Sequence, residues 1–233
     1  MSTANFEVPG LPLPVAVRRL RTAKRMRLRV DHQAGVIRLT MPARGSATAA
    51  LRWAGEHREW VERQLATAPE GRPFEPGAII PFSGRKLQLE WLEGGRRGAR
   101  LQEGRLVVGG PRESFARSVE RWLKREALAV LSAETARVAA LAGVTVASVG
   151  IGDPVSRWGS CTSAGAIRYS WRLILAPPEG LRFVVAHEVA HRLHLNHGPD
   201  FKAAEERLFG GPIAPARALL RELAPALRSV GRS

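Results

Sequence analysis

Cysteine is almost absent from this chain: Cys161 is the single one in 233 residues. That excludes an intrachain disulfide and favours a reducing compartment. Long apolar runs are missing too. No stretch approaches the ~20 residues of a membrane-spanning helix. The first fifteen residues, with Glu7, Pro9, Pro12 and Pro14, do not read as a secretory signal. A soluble cytoplasmic protein is the expectation. There is no internal repeat, zinc-finger spacing, recognition-helix motif or RNA-binding aromatic signature, and Gly94-Gly95 lacks the Lys-Ser/Thr of a phosphate loop. Acidic residues are in short supply: 21 Asp+Glu stand against 36 Lys+Arg, leaving +15. The basic excess runs along the whole chain. It suits an anionic partner, nucleic acid or phosphorylated substrate, and equally a basic surface with no specific partner. A hydrophobic content of 45% is enough for a packed core.

What the chain does have is concentrated in residues 179–201. Four of the six histidines fall there, as His187-Glu188-x-x-His191 followed by His194 and His197. On a helix, positions i and i+4 share a face, so His187 and His191 can point at one ion. Glu188 sits at the edge of that face, where a carboxylate could take a proton from a water activated by the metal. Leu181, Val185 and Val189, with Leu193 near them, form the opposite stripe, to be buried. His194 lies roughly 10 Å along the axis from His187, too far for one ion to touch both. His197 can return only if the helix stops first; Asn196, Gly198 and Pro199 are the stop signals. The expected ligands are therefore His187, His191 and His197, with Asp200 and Glu205 as the alternatives for the third. A single zinc ion suits imidazole ligands and leaves a fourth position open. His194 reads as a polar helix-end residue or as one that supports a ligand from behind.

Ser156-Arg157-Trp158-Gly159-Ser160-Cys161, Ile167-Arg168-Tyr169-Ser170-Trp171-Arg172-Leu173, Pro177-Pro178 and the His-Glu-x-x-His-x5-His run together resemble the YgjP-like family of predicted zinc metallopeptidases. That family is itself similar to SprT-like and WLM-type zincins. The resemblance covers about Val15 to Phe209 and implies metal binding by His187, His191 and His197 and a general-base role for Glu188. It further implies a cleft lined by Arg157, Trp158, Gly159 and Ser160, with packing within a hairpin as the alternative use of Arg157 and Trp158. The ligand spacing matches the metzincins, but His194 stands where they have glycine, which argues against a metzincin proper. Some members of the family are assigned nucleoside-triphosphate (UTP) pyrophosphohydrolase activity. The SprT-like kinship adds a third reading, a nucleic-acid-associated metalloprotein. The implied partners are thus a peptide or protein, a nucleotide, or nucleic acid.

Along the chain, residues 1–14 read as a loose tail. Met26, Leu28 and Val30 alternate with Arg25, Arg27 and Arg29 as a strand with one charged face, which can meet phosphate but more often meets solvent. Residues 31–35 form a turn and 36–41 a return strand. Ser46 caps a helix to about Ala66, with Trp53 and Trp60 as packing residues. A Pro/Gly-rich connection (67–78) leads to short strands at 78–82, 86–92 and 105–108. A long helix over 112–142 follows, then strands at 144–151 and 167–175, the metal helix, a helix over 202–208, and a terminal Ala/Leu/Arg helix that either packs or hangs free. Cys161 reads as a small buried residue. The fold class is α+β: a small, mostly antiparallel N-terminal β domain (15–110), a zincin-like domain (111–212) with its HExxH helix beside a short sheet, and a C-terminal helical tail (213–233).

Overall fold

Alternating apolar and charged residues between Val15 and Pro42 build three strands of a four-stranded sheet, whose fourth strand is Ala4–Phe6. The computed structural model describes residues 4–31, 34–66 and 71–232, and the chain divides into two compact units at 69/70. Among the described residues the fold is α+β, with six α-helices and three small sheets.

In the first unit, β1 (Ala4–Phe6), β2 (Val15–Leu20), β3 (Arg27–Asp31) and β4 (Val36–Pro42) lie in the order β1-β2-β4-β3. The β3/β4 hairpin is antiparallel as expected, whereas β2 runs parallel to β4. Val15, Val30, Ile37, Leu39 and Met41 form a core with Ala50, Ala54 and Val61 of helices α1 (Ala47–Gly55) and α2 (Arg58–Ala66). Ser46 caps α1, its Oγ accepting from Ala49 N at 3.3 Å. The single helix expected over 46–66 is broken in two. Gly55 is a poor helix former, and the His57 ring bonds the Trp53 carbonyl at 2.8 Å, turning the chain at Glu56–His57. Among its described residues the expected loose tail is part of the unit: β1 pairs with β2, and Val8, Leu11 and Leu13 pack on the core. His32 and Gln33 of the expected turn, and 67–70 of the expected connection, lie outside the described residues.

The second unit begins with β5 (Ile79–Phe82), β6 (Arg85–Gln102) and β7 (Arg105–Gly109). Gln88–Leu92 run parallel to β7 and Arg97–Gln102 antiparallel to it, so β6 reverses near Gly94 and covers both edges of β7. The crossing is tight enough that a β-carbon on Gly109 would collide with the Arg96 carbonyl. Leu87, Leu89, Leu106 and Val108 enter the same core as Phe115, Val119 and Trp122 of α3 (Phe115–Ala142). The break expected at 110/111 therefore falls inside one packed unit; Gly110 (φ +106°) and Pro111 only turn the chain into α3.

The third sheet places β10 (Ala166–Ser170) between β8 (Ser148–Gly152), parallel to it, and β9 (Gly159–Cys161), antiparallel. β10 ends sooner than expected. Trp171–Leu175 form a 3-10 turn in which all five side chains are buried, which a two-sided strand period does not describe. Helices α4 (Pro178–Ala190), α5 (Pro199–Phe209) and α6 (Ala214–Ser229) complete the unit. Pro178 occupies the first turn of α4, and Leu181, Val185 and Val189 are buried, as their spacing predicts. Helix α6 is not a tail: Ala216, Leu220 and Leu227 are buried, and Arg172 donates to the carbonyls of Leu227 and Val230.

Candidate metal centre

Helix α4 stops at His191, with Leu193 N and His194 N both bonded to the Ala190 carbonyl. No left-handed residue is used: Asn196 is not among the positive-φ residues, and Gly198 has φ −74°. Pro199 opens α5, three residues earlier than the expected helix at 202. This short return brings His197 back over the face of α4.

One ring nitrogen each from His187, His191 and His197 lies within 4.8 Å of the others. Nε2 of His187 and Nε2 of His197 are 3.4 Å apart. Two imidazoles bound about 2.0–2.1 Å from one tetrahedral ion hold their nitrogens about 3.3 Å apart, so this spacing fits a shared cation. The tautomers fit as well. His187 Nδ1 lies 2.8 Å from Oε1 of Glu205, a residue 1% exposed that accepts the ring proton. His191 Nδ1 lies 3.3 Å from the His194 carbonyl, which can only accept. Each ring thereby turns an unprotonated Nε2 away from its partner and toward the cluster. Burial and the neighbouring His187 also push the His191 pKa down, which favours the neutral ring.

Phe201, 1% exposed, lies under all three rings, with centroid distances of 5.2, 4.7 and 4.6 Å to His187, His191 and His197. Glu205 joins a second helix as well: its Oε2 accepts from Arg217 of α6 at 3.4 Å. Glu188 is 4% exposed and lies against β9 at Gly159. Burial raises its carboxyl to about 7, while His187 and Arg157 pull the other way.

The other expected residues divide. Arg157 is exposed and near enough to act on Glu188 electrostatically. Trp158 does what hairpin packing requires: its carbonyl accepts from Ser170 N at 2.7 Å, and Arg228 of α6 stacks 5.0 Å from its ring. Ser160 lies in β9, at the sheet's edge opposite Arg168. Cys161 is half-buried, outside the three-histidine group, its thiol raised by burial and lowered by Arg192. Asp200 is exposed and outside that group, and His194 contributes its carbonyl rather than its ring. The sequence alone assigns no role to Phe201 or Arg217, and it places Gly159 only in the cleft that the family resemblance implies. An aromatic four residues past His197 was the one local signal among them.

The model of the YgjP-like metallopeptidase domain matches residues 24–222, most of the chain. No curated protein and no solved structure matches it.

Proposed function

The chain belongs to the YgjP-like metallopeptidase family, and from that membership and the site geometry we propose that it is a zinc-dependent peptidase. The convergence of His187, His191 and His197 within 4.8 Å carries this reading. Imidazole nitrogens suit zinc before the harder cations. When bound, the ion supplies Lewis acidity toward a carbonyl oxygen and lowers the pKa of a water from 15.7 towards about 7.

The remaining work falls to side chains of this protein. Glu205 and the His194 carbonyl hold the protons of His187 and His191 on Nδ1, which aims both Nε2 lone pairs at the cation site. Phe201 closes the floor beneath the rings and keeps water off that side. Glu188 is the general base: its buried carboxyl, near 7, accepts a proton from water and returns it to the leaving amine. β9, at the edge of its sheet, is the strand with which an extended peptide would pair in a zincin-like arrangement. Arg157 and Ser160 border that edge and are the proposed substrate contacts, with Trp158 supporting the strand from behind.

The rival substrate is a nucleoside triphosphate such as UTP, favoured by the charge of Arg157 beside Glu188. Phosphoryl chemistry ordinarily uses carboxylate-held magnesium, and the three-histidine group contains no carboxylate, so the amide bond ranks first. With one cysteine, free of any disulfide, the cytoplasm is the proposed compartment. No helix among the described residues is long and apolar enough to cross a membrane.

The test is metal content after purification without added metal, paired with hydrolysis of unfolded protein and of UTP with and without chelator. Glu188→Gln should keep the metal and lose turnover by about 10²–10⁴-fold. Wild-type turnover by Glu188→Gln would remove the mechanism. Chelator-sensitive hydrolysis of UTP alone would transfer the site to the nucleotide reading.

A further inference from the structure

The sheet face of the first unit that turns away from α1 and α2 is built of cations. Strand pairing sets Arg18 and Arg27 on either side of Thr40, and Ala16 and Arg29 on either side of Arg38. Directly paired residues share a face. Four guanidinium groups therefore share an area three strands wide and one pleat long, roughly 10 by 7 Å. A cleft of about 410 Å³ opens among them. Through Arg27 and Thr40 it runs into a second of about 580 Å³, to which the β2–β3 connection adds Lys24 and Arg25.

Little neutralises this face. Asp31 pairs with Arg38 at 2.6 Å and attracts Arg29 from further off. Among the described residues, Arg18, Lys24, Arg25 and Arg27 enter no ion pair. Residues 1–69 hold 12 of the 36 Lys+Arg but 5 of the 21 Asp+Glu, and three of those five, Glu56, Glu59 and Glu62, lie at or in the helices. Like charges set opposite one another weaken a sheet. An anion laid across the rows offsets that cost.

We propose that this face binds the sugar–phosphate backbone of a single-stranded nucleic acid. Guanidinium forks match phosphate oxygens, and Thr22 and Thr40 add hydroxyl donors in the same clefts. Few other polymers carry negative charge as densely as a nucleic acid, one per about 3.4 Å of a strand. The width of the face, roughly 10 Å, suits one strand better than a duplex, whose major groove alone is about 12 Å wide. No aromatic ring lines either cleft. Bases are therefore not stacked, and binding is indifferent to sequence and steeply dependent on salt. The inference does not rest on the peptidase reading.

The experiment is fluorescence anisotropy of the full chain with a labelled 20-nucleotide DNA strand of mixed sequence, titrated at several salt concentrations. Arg27→Glu/Arg29→Glu should weaken binding at least tenfold at 100 mM salt. It should also flatten the slope of log affinity against log salt by about 0.7 per lost phosphate contact. Arg18→Gln/Arg27→Gln, which adds no negative charge, should flatten the slope likewise and decides the matter if the charge-reversed chain misfolds. Arg117→Glu/Arg121→Glu, exposed on α3 of the second unit, should stay within twofold of wild type. Equal losses in the α3 variant would reduce the effect to bulk charge and overturn the proposal. So would no binding by wild type at low salt, or displacement of the strand by polyglutamate at equal charge concentration, which would make the partner an acidic protein.

Discussion

A β-carbon built on Gly159 stands 2.5 Å from Oε1 of Glu188 and 2.8 Å from its Cδ. The carboxylate of the proposed base thus rests on the bare α-carbon of the neighbouring strand, and no larger residue fits without moving it. Gly159→Ala should therefore leave the three imidazoles and their metal in place while displacing Glu188. A shift of about 1 Å in a reacting group can cost about 10²-fold in rate. The expected outcome is that fall in kcat at unchanged metal content and nearly unchanged Tm. A variant with full activity would mean that Glu188 has room the structure does not show.

How much of this was legible in the sequence depends on range. The α4 helix, its first-turn proline, its buried stripe and the hairpin of β9 and β10 follow from local periodicity and turn residues, and the structure places each of them. His197 follows from the distance past a helix stop, although the stop uses no left-handed turn. Glu205 is eighteen residues beyond His187, and Gly159 is twenty-nine before Glu188. Their roles come from α5 and β9 packing on α4, which no local pattern encodes. The same holds at Pro111, which looks like a linker residue, while the apolar faces of β6 and β7 have their partner in α3.

Glu205 reaches the site through the back of His187, so its removal should be read in metal affinity rather than in folding alone. Glu205→Gln keeps the size but loses the charge and leaves an amide to face the imidazole proton. Removing such a partner typically costs about 10–100-fold in metal affinity. Competition titration against a chromogenic chelator should show that loss. Arg217→Ala, which strips the outer contact at 3.4 Å, should show a smaller one. If Glu205→Gln holds metal as tightly as wild type, the carboxylate does not orient the ring.

Asp31 gives the first unit a pH dependence of known sign. Burial raises its carboxyl, but the Arg38 hydrogen bond at 2.6 Å, the Ala34 N–H at 3.1 Å and the Arg38 and Arg29 charges outweigh it, and the net shift is downward. A carboxylate lowered on folding stabilises the fold fully above its unfolded pKa, and that contribution is lost as pH falls through the folded value. At pH 7, Asp31→Asn should destabilise the β3/β4 hairpin by about 1–3 kcal/mol, the scale of a hydrogen bond to a charged group. The gap between variant and wild type should close as the pH is lowered toward 2. Amide exchange in β3 and β4 measures both, and a gap that widens in acid would reverse the assignment.

Arg172 joins the end of the chain to the body. Its side chain is 4% exposed and lies between Asp153, at 2.7 Å, and the carbonyls of Leu227 and Val230, with the Trp171 ring 4.5 Å from the guanidinium carbon. Deleting one member of such a buried set strands the others, at about 3–5 kcal/mol. Arg172→Ala should accordingly lower Tm by several degrees. It should also act at a distance, because α6 carries Arg217, which holds Glu205, and Arg228, which stacks on Trp158 one residue before Gly159. Loosening α6 should thus weaken metal binding and turnover together at temperatures where the rest of the unit is still folded. Arg172→Lys should recover only part of both, since one ammonium cannot reach Asp153 and two carbonyls at once. A variant that loses stability but keeps wild-type metal affinity would separate the docking of α6 from the site.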